Sequence, residues 1–312
     1  MHGLRKITRL AAAGLALALL CCLFAGGCDN KKEEAAASST PEFPVTAGGV
    51  TLEEAPGRIV CLAPAIYEAL EELGATASLV GVGAGIDAGD LPALGSPALP
   101  DVEAIIGLSP DLILTSAHPD TADADSFTLQ EIPVAVIPSP LRYGELEDYY
   151  QQISVLISGS QTGSANAART AERLGAEAEA AAGAAAGKTP VKTALLLGEG
   201  LCAGGDTWAG DLLELAGGSN ALAGVEGYAY TADTLTAAAP EAILCPAGMA
   251  ASLLADENLA GIPALQAGRV YEIDTALLER PGASLAAAVE AMAKALYPAD
   301  TGTSSSAPEA VE

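Results

Sequence analysis

The stretch from Ser164 to Ala186 constrains this chain more than any other. It is nearly all Ala, Glu, Arg and Leu, with Gly175 near its middle and Gly183 near its end. Strong helix formers over that span predict a rod of roughly 35 Å. The pattern on either side is different. Before it, apolar runs at Arg58–Leu62, Leu79–Gly83, Asp111–Ser116 and Val134–Pro138 read as strands. Helical stretches at 65–74, 101–107, 121–131 and 143–157 lie among them. After it come strands at Val191–Leu197, Ala242–Cys245 and Arg269–Ile273, with helices at 208–216, 231–239 and 284–297. Such alternation implies an α/β fold of mainly parallel sheets covered on both faces. A surface helix as long as the central rod is unusual in such a domain. A single stiff connector between two lobes explains it. The expected division is an N-terminal lobe over 45–160, a connecting helix over 161–188 and a C-terminal lobe over 189–298.

A weak internal repeat supports two lobes. Asp101–Leu114 reads DVEAIIGLSPDLIL and Thr231–Leu244 reads TADTLTAAAPEAIL. Each places an acid, Glu103 or Asp233, seven residues before a proline, Pro110 or Pro240. In each, the proline ends a helix and an acid then opens a short buried strand.

The N-terminus reads as an export signal. Arg5, Lys6 and Arg9 precede an uncharged apolar run from Leu10 to Gly27. An uncleaved anchor has the same apolar length. Ala25-Gly26-Gly27-Cys28 decides for a lipoprotein signal peptide over 1–27, with Cys28 as the lipidated residue. Residues 28–44 read as a flexible tether and 299–312 as a disordered Ser/Pro/Glu tail. The protein is thus expected outside the cytoplasmic membrane, held to its surface by lipid.

Composition removes other classes. The formal charge of −26 repels phosphate backbones, so no nucleic-acid partner is expected. Two histidines cannot build a histidine-rich metal site, and no resident metal or cofactor is expected. Cys61, Cys202 and Cys245 lie far apart and read as small apolar core residues. Gly183–Thr189 mimics a P-loop, but it is one residue short and Pro190 stops the helix a P-loop needs. Gly198–Ala203 matches G-x-G-x-x-A without a clear helix behind it.

The ordered set of motifs resembles the class III substrate-binding proteins of ABC importers, the group that carries vitamin B12, iron-siderophores and haem. Arg58–Ala65 (RIVCLAPA), Leu79–Gly83 and Ser109–Leu114 carry the likeness in the first half. Gly210–Asn220 (GDLLELAGGSN), Pro240–Leu244, Gly268–Tyr271 and Glu279–Gly282 carry it in the second. The resemblance implies two α/β lobes joined by one long helix, with the ligand in the cleft between them. It implies an ABC permease and its ATPase as partners, a small-molecule metal complex as cargo, a monomer, and no catalysis. It also implies one permease-docking glutamate per lobe, at Glu103 and Glu214.

Ligand-facing residues are expected on loops that follow strands: Pro64, Ala65, Gly85, Ile86, Ser96, His118, Cys202, Tyr228, Tyr230 and Arg280. His118 is placed to ligate haem iron or meet an anion, or is a loop histidine with no role. Tyr228 resembles the region where some haem carriers place a tyrosine ligand, but reads more readily as a core or rim tyrosine. Arg280 and Arg142 are the basic candidates for an anionic group. Trp208 is suited to stack on a macrocycle or to cap its helix against the core. The low aromatic count argues against corrinoid and haem, and the low basic count against an anionic siderophore. Two other classes stay open on the sequence: a surface lipoprotein that senses or scaffolds, and an exported enzyme using His118 with Cys61 or Cys202.

Overall fold

The computed structural model describes residues 42–298. The expected signal peptide, lipidated Cys28 and C-terminal tail lie outside the described residues, as does the expected tether up to Pro41. A hairpin of β1 (Val45–Ala47) and β2 (Val50–Leu52) leads into the first lobe. There β3 (Ile59–Cys61), α1 (Pro64–Glu72) and β4 (Leu79–Val82) are followed by a short hairpin, β5 (Gly95–Ser96) with β6 (Leu99–Pro100). Next come α2 (Val102–Gly107), β7 (Leu112–Thr115), α3 (Thr121–Leu129) and β8 (Val134–Val136). Two antiparallel helices, α4 (Leu146–Ser158) and α5 (Ser160–Ala181), lead out of it. The second lobe holds β9 (Val191–Gly198), β10 (Leu201–Cys202), α6 (Trp208–Leu215), β11 (Gly218–Asn220), α7 (Ala232–Ala238) and β12 (Ala242–Pro246). It ends with α8 (Ala250–Ala255), α9 (Pro263–Gln266), β13 (Val270–Ile273) and α10 (Ser284–Leu296).

The two sheets share one plan. The first runs β4-β3-β7-β8, all parallel. The second runs β11-β9-β12-β13, also parallel, with β10 added antiparallel to β9. In both, the first strand pairs with the second on one side and the third on the other. The sequence repeat is therefore a structural one. In each lobe a buried residue, Ile105 or Leu235, follows the exposed acid by two positions. Each helix then ends in a left-handed residue just before the proline, Ser109 at φ 48° or Ala239 at φ 44°. The next residue, Asp111 or Glu241, donates its backbone N–H to the carbonyl of Arg58 or Lys192 on the neighbouring strand.

Strand periodicity sorts the core into layers. Ile59 and Cys61 face the middle of the molecule, while Val60 faces α2 and α3. Leu112 and Leu114 against Ile113 repeat the alternation, as do Ala242 and Leu244 against Ile243 and Cys245. Period-two side chains on strands buried on both faces produce this split. The middle layer is continuous across both lobes and takes in α1, α4, α5, α6 and α10. Lobes sharing a core resist wide hinge opening.

The connecting rod differs in its bounds from the expectation of 161–188. It starts at Ser160, ends at Ala181, and tightens into a 3₁₀ turn over Ala182–Ala185. The P-loop mimic at 183–189 is this turn and the loop after it.

Within the segment expected as a tether, Glu42 is already part of the folded body. The Glu42 carboxylate caps α5, accepting from the N–H groups of Gln161 at 2.8 Å and Thr162 at 3.2 Å and from Thr162 Oγ1 at 2.6 Å. These bonds, the Thr162 hydroxyl first, hold its carboxyl below the ordinary value of 4.5. A lowered folded-state pKa gives stability that is present above the unfolded value and is lost as pH falls. Glu42→Gln is thus expected to lower the melting temperature near neutral pH. The gap to wild type should close as pH is taken below 4.5. A gap that is constant with pH would show that the charge plays no part.

Candidate functional site

The carboxyl ends of both parallel sheets face a cleft between the lobes. Strand order reverses beside β3 in one sheet and beside β9 in the other, the usual crevice for ligands in open α/β sheets. A cavity of about 410 Å³ lies there. Ser139, Pro140 and Leu141, after β8, form its first-lobe wall. Leu197, Leu201, Trp208 and Tyr228 form the second-lobe wall, and Thr275, Leu278, Glu279 and Pro281 close it. A second interlobe pocket of about 340 Å³ lies on the other side of the 275–283 segment. Pro64, Glu68, Glu71 and Glu72 of α1, the Gly85–Asp87 loop, Arg280 and Ala283 line it.

Three clasps hold the cleft in shape. Arg142 meets Asp211 across the lobes with two bonds, Nε at 2.8 Å and a terminal nitrogen at 2.6 Å. The Tyr143 N–H donates to the same carboxylate at 2.8 Å. Tyr150 donates to the Pro281 carbonyl at 2.9 Å. Glu68 accepts from the N–H and hydroxyl of Ser284 at 3.1 and 3.0 Å, and so caps α10 from the opposite lobe. The Asp211 partnership raises the Arg142 pKa further above an already high value. This guanidinium is engaged by protein, so Arg142 does not stand free for an anionic ligand.

The expected ligand residues do not converge on one pocket. Pro64, Gly85, Ile86 and Arg280 line the smaller cleft pocket and Tyr228 the larger. His118 lies apart, in a pocket on the first lobe beside the Gly48–Thr51 hairpin and β8. The strand end it follows does not bring it to the cleft. Tyr230 lines a pocket of the second lobe with Gly198, Gly200 and Met249. Ser96 is half-buried in its hairpin, and its hydroxyl accepts from the Leu99 N–H at 3.2 Å. Ala65 and Cys202 are buried, Cys202 wholly, so they offer a ligand almost no surface. Burial likewise raises the thiols of Cys202, of Cys245 to about 11, and of Cys61 to about 12. Protonated, buried thiols are poor nucleophiles. Among the described residues no group of three His, Cys, Asp or Glu side chains is arranged to hold a metal. The G-x-G-x-x-A match is the turn between β9 and β10, a hairpin rather than a nucleotide loop.

The sequence reading missed three wall elements: Ser139–Leu141, the Thr275–Leu278 turn and Leu197. None carries a chemical signature; they meet only because the lobes pack. It also gave the second docking acid as Glu214. A helix that leads into a parallel strand runs against it, so its N-terminus lies at the strand's carboxyl end. Glu103 and Asp233 both sit in such first turns, exposed, at the cleft end of their lobes. Glu214 is exposed too, but it occupies the last turn of α6, at the far end from the cleft wall residue Trp208. Asp233 is the structural counterpart of Glu103.

Two α/β lobes of like topology, one connecting helix and a cleft at the strand ends define a two-lobed solute-binding protein. The chain belongs to the periplasmic binding protein family, whose model matches residues 59–277. It is of the class III type, and its relatives are substrate-binding transport proteins rather than enzymes. No curated protein matches the chain. Among solved structures, it resembles a possible iron-binding periplasmic solute-binding protein from Staphylococcus epidermidis. That match has 18% identity and a TM-score of 0.66, covering 78% of this chain and 100% of the other. The periplasmic heme-binding protein RhuT from Roseiflexus is 24% identical with a TM-score of 0.61, over 76% and 98%. The vitamin B12 binding protein BtuF of Vibrio cholerae is 21% identical with a TM-score of 0.59, over 77% and 96%. At these identities the likeness is one of fold.

Proposed function

We propose that this protein is the receptor of an ABC importer. It captures a metal-containing nutrient, an iron complex (siderophore or haem) or a cobalamin-type corrinoid, and hands it to the permease and its ATPase. The observation that carries the reading is the interlobe cavity at the carboxyl ends of both sheets, walled by Trp208, Tyr228 and leucines. Mostly apolar walls with a few placed polar groups suit a bulky small molecule. The similar structures support the choice of cargo, being named for iron, heme and vitamin B12. Glu103 and Asp233 would dock the two lobes on a basic permease face, with Cys28 lipidated to keep a monomeric receptor near it.

Thermal melting with haemin, cyanocobalamin and ferric hydroxamate chelates tests the reading. A ligand at about 100 times its Kd adds about 2.7 kcal/mol to stability. At least one should therefore raise the melting temperature by several degrees. No shift with any of them would leave a scaffold or sensor as the better account.

A further inference from the structure

We infer that the cleft selects by charge, and that its cargo is a metal chelate of zero or positive net charge with a broad apolar face. The inference rests on the carrier reading above and narrows it. The larger cavity has Leu141, Leu197, Leu201 and Leu278 on its walls, and Glu279 is its one acidic or basic side chain. The smaller is lined by Glu68, Glu71, Asp87 and Arg280, with Glu72 also on its wall but paired to Arg173.

The described residues include nine lysines and arginines, and Arg280 is the one lining either pocket. The others nearby are engaged. Arg142 is held by Asp211, and Arg173 by Glu72 and Glu177. A polyanion entering this cleft would lose water and face carboxylates, and like charges brought together across an interface are strongly unfavourable. Low-dielectric walls magnify the effect. The charge of the whole chain works the same way, drawing cations and repelling anions at a distance.

Trp208, 6% exposed, adds an aromatic surface to the same apolar wall.

The test is a binding series on the full chain using ferric complexes of graded charge. The members are ferrioxamine B (a monocation), ferrichrome (neutral) and ferric enterobactin (a trianion), with haemin and cyanocobalamin beside them. The cation, or a neutral member, should bind at least about 100-fold tighter than the trianion and haemin. The preference for the cation should shrink in about 1 M salt and in Glu279→Gln. Tightest binding by haemin or the trianion, or equal affinity across the series, would overturn the charge inference and leave the carrier reading standing. Binding by no member would overturn both.

Discussion

Replacing Glu103 and Asp233 together with alanine is expected to leave ligand affinity unchanged and to abolish delivery to the permease. Both carboxylates stand exposed in the first turn of a helix at the cleft end of their lobe. They lie outside both cleft pockets, so their loss removes nothing that touches cargo. At a docked interface, each close charge pair is worth roughly 2 kcal/mol or more. Two such losses weaken docking about 1,000-fold. Ligand-dependent stimulation of the permease's ATPase would read this. Glu214→Ala should behave as wild type, because its helix carries it away from the cleft end. Full stimulation by the double variant, or a loss in Glu214→Ala equal to it, would remove the docking assignment.

Substitution at Gly163 is expected to have the largest effect on stability. Helix propensity alone predicts that Gly163→Ala gains about 1 kcal/mol inside α5. Packing predicts the opposite. A Cβ there would lie 2.6 Å from the Ser154 carbonyl oxygen and 2.6 and 2.7 Å from backbone atoms of Val155. These are main-chain atoms of α4, and they cannot swing aside as a side chain would. The two helices would have to part, and α5 also packs on α10 of the second lobe. Overpacking of this kind costs about 1–3 kcal/mol for small intrusions and more where backbone must move. Gly163→Ala should therefore be net destabilising, and Gly163→Leu should lose more than about 3 kcal/mol. Urea unfolding would measure both. An unchanged midpoint for Gly163→Ala would mean that helix propensity outweighs the close approach.

Seven of the nine strands in the two sheets were legible because their apolar runs are short, β-branched or leucine-rich, and bounded by proline or glycine. Arg58–Leu62 and Asp111–Ser116 needed trimming by a residue at each end to match β3 and β7. The elements that escaped notice have weak patterns. The β1–β2 hairpin sits in a segment with the composition of a linker, and Gly218–Asn220 and Gly95–Ser96 contain no apolar residue to signal a strand. Glu42 was legible only as a charge in a tether; its role depends on α5 starting beside it. The repeat was visible as an acid seven residues before a proline. Family likeness pointed to Glu214 as the second docking acid, whereas the repeat and the shared first-turn position are what motivate the proposal of Asp233. The cleft was the least legible part. Loop residues were assigned to it by strand order alone, and that logic cannot tell which loops face the other lobe. His118 and Tyr230 fell outside the two cleft pockets for that reason.

The most direct test of the central claim is a ligand titration of the wild type against Leu141→Arg, followed through Trp208. The chain has one tryptophan, and it lines the interlobe cavity. Leu141 lines the same cavity from the opposite lobe at 61% exposure, so an arginine there would fill the entrance without disturbing the core. The account predicts saturable, single-site quenching of Trp208 in the wild type and at least about 10-fold weaker binding in Leu141→Arg, a loss of about 1.4 kcal/mol. Unchanged affinity in Leu141→Arg would contradict it, because the cargo would then be held somewhere other than between the lobes.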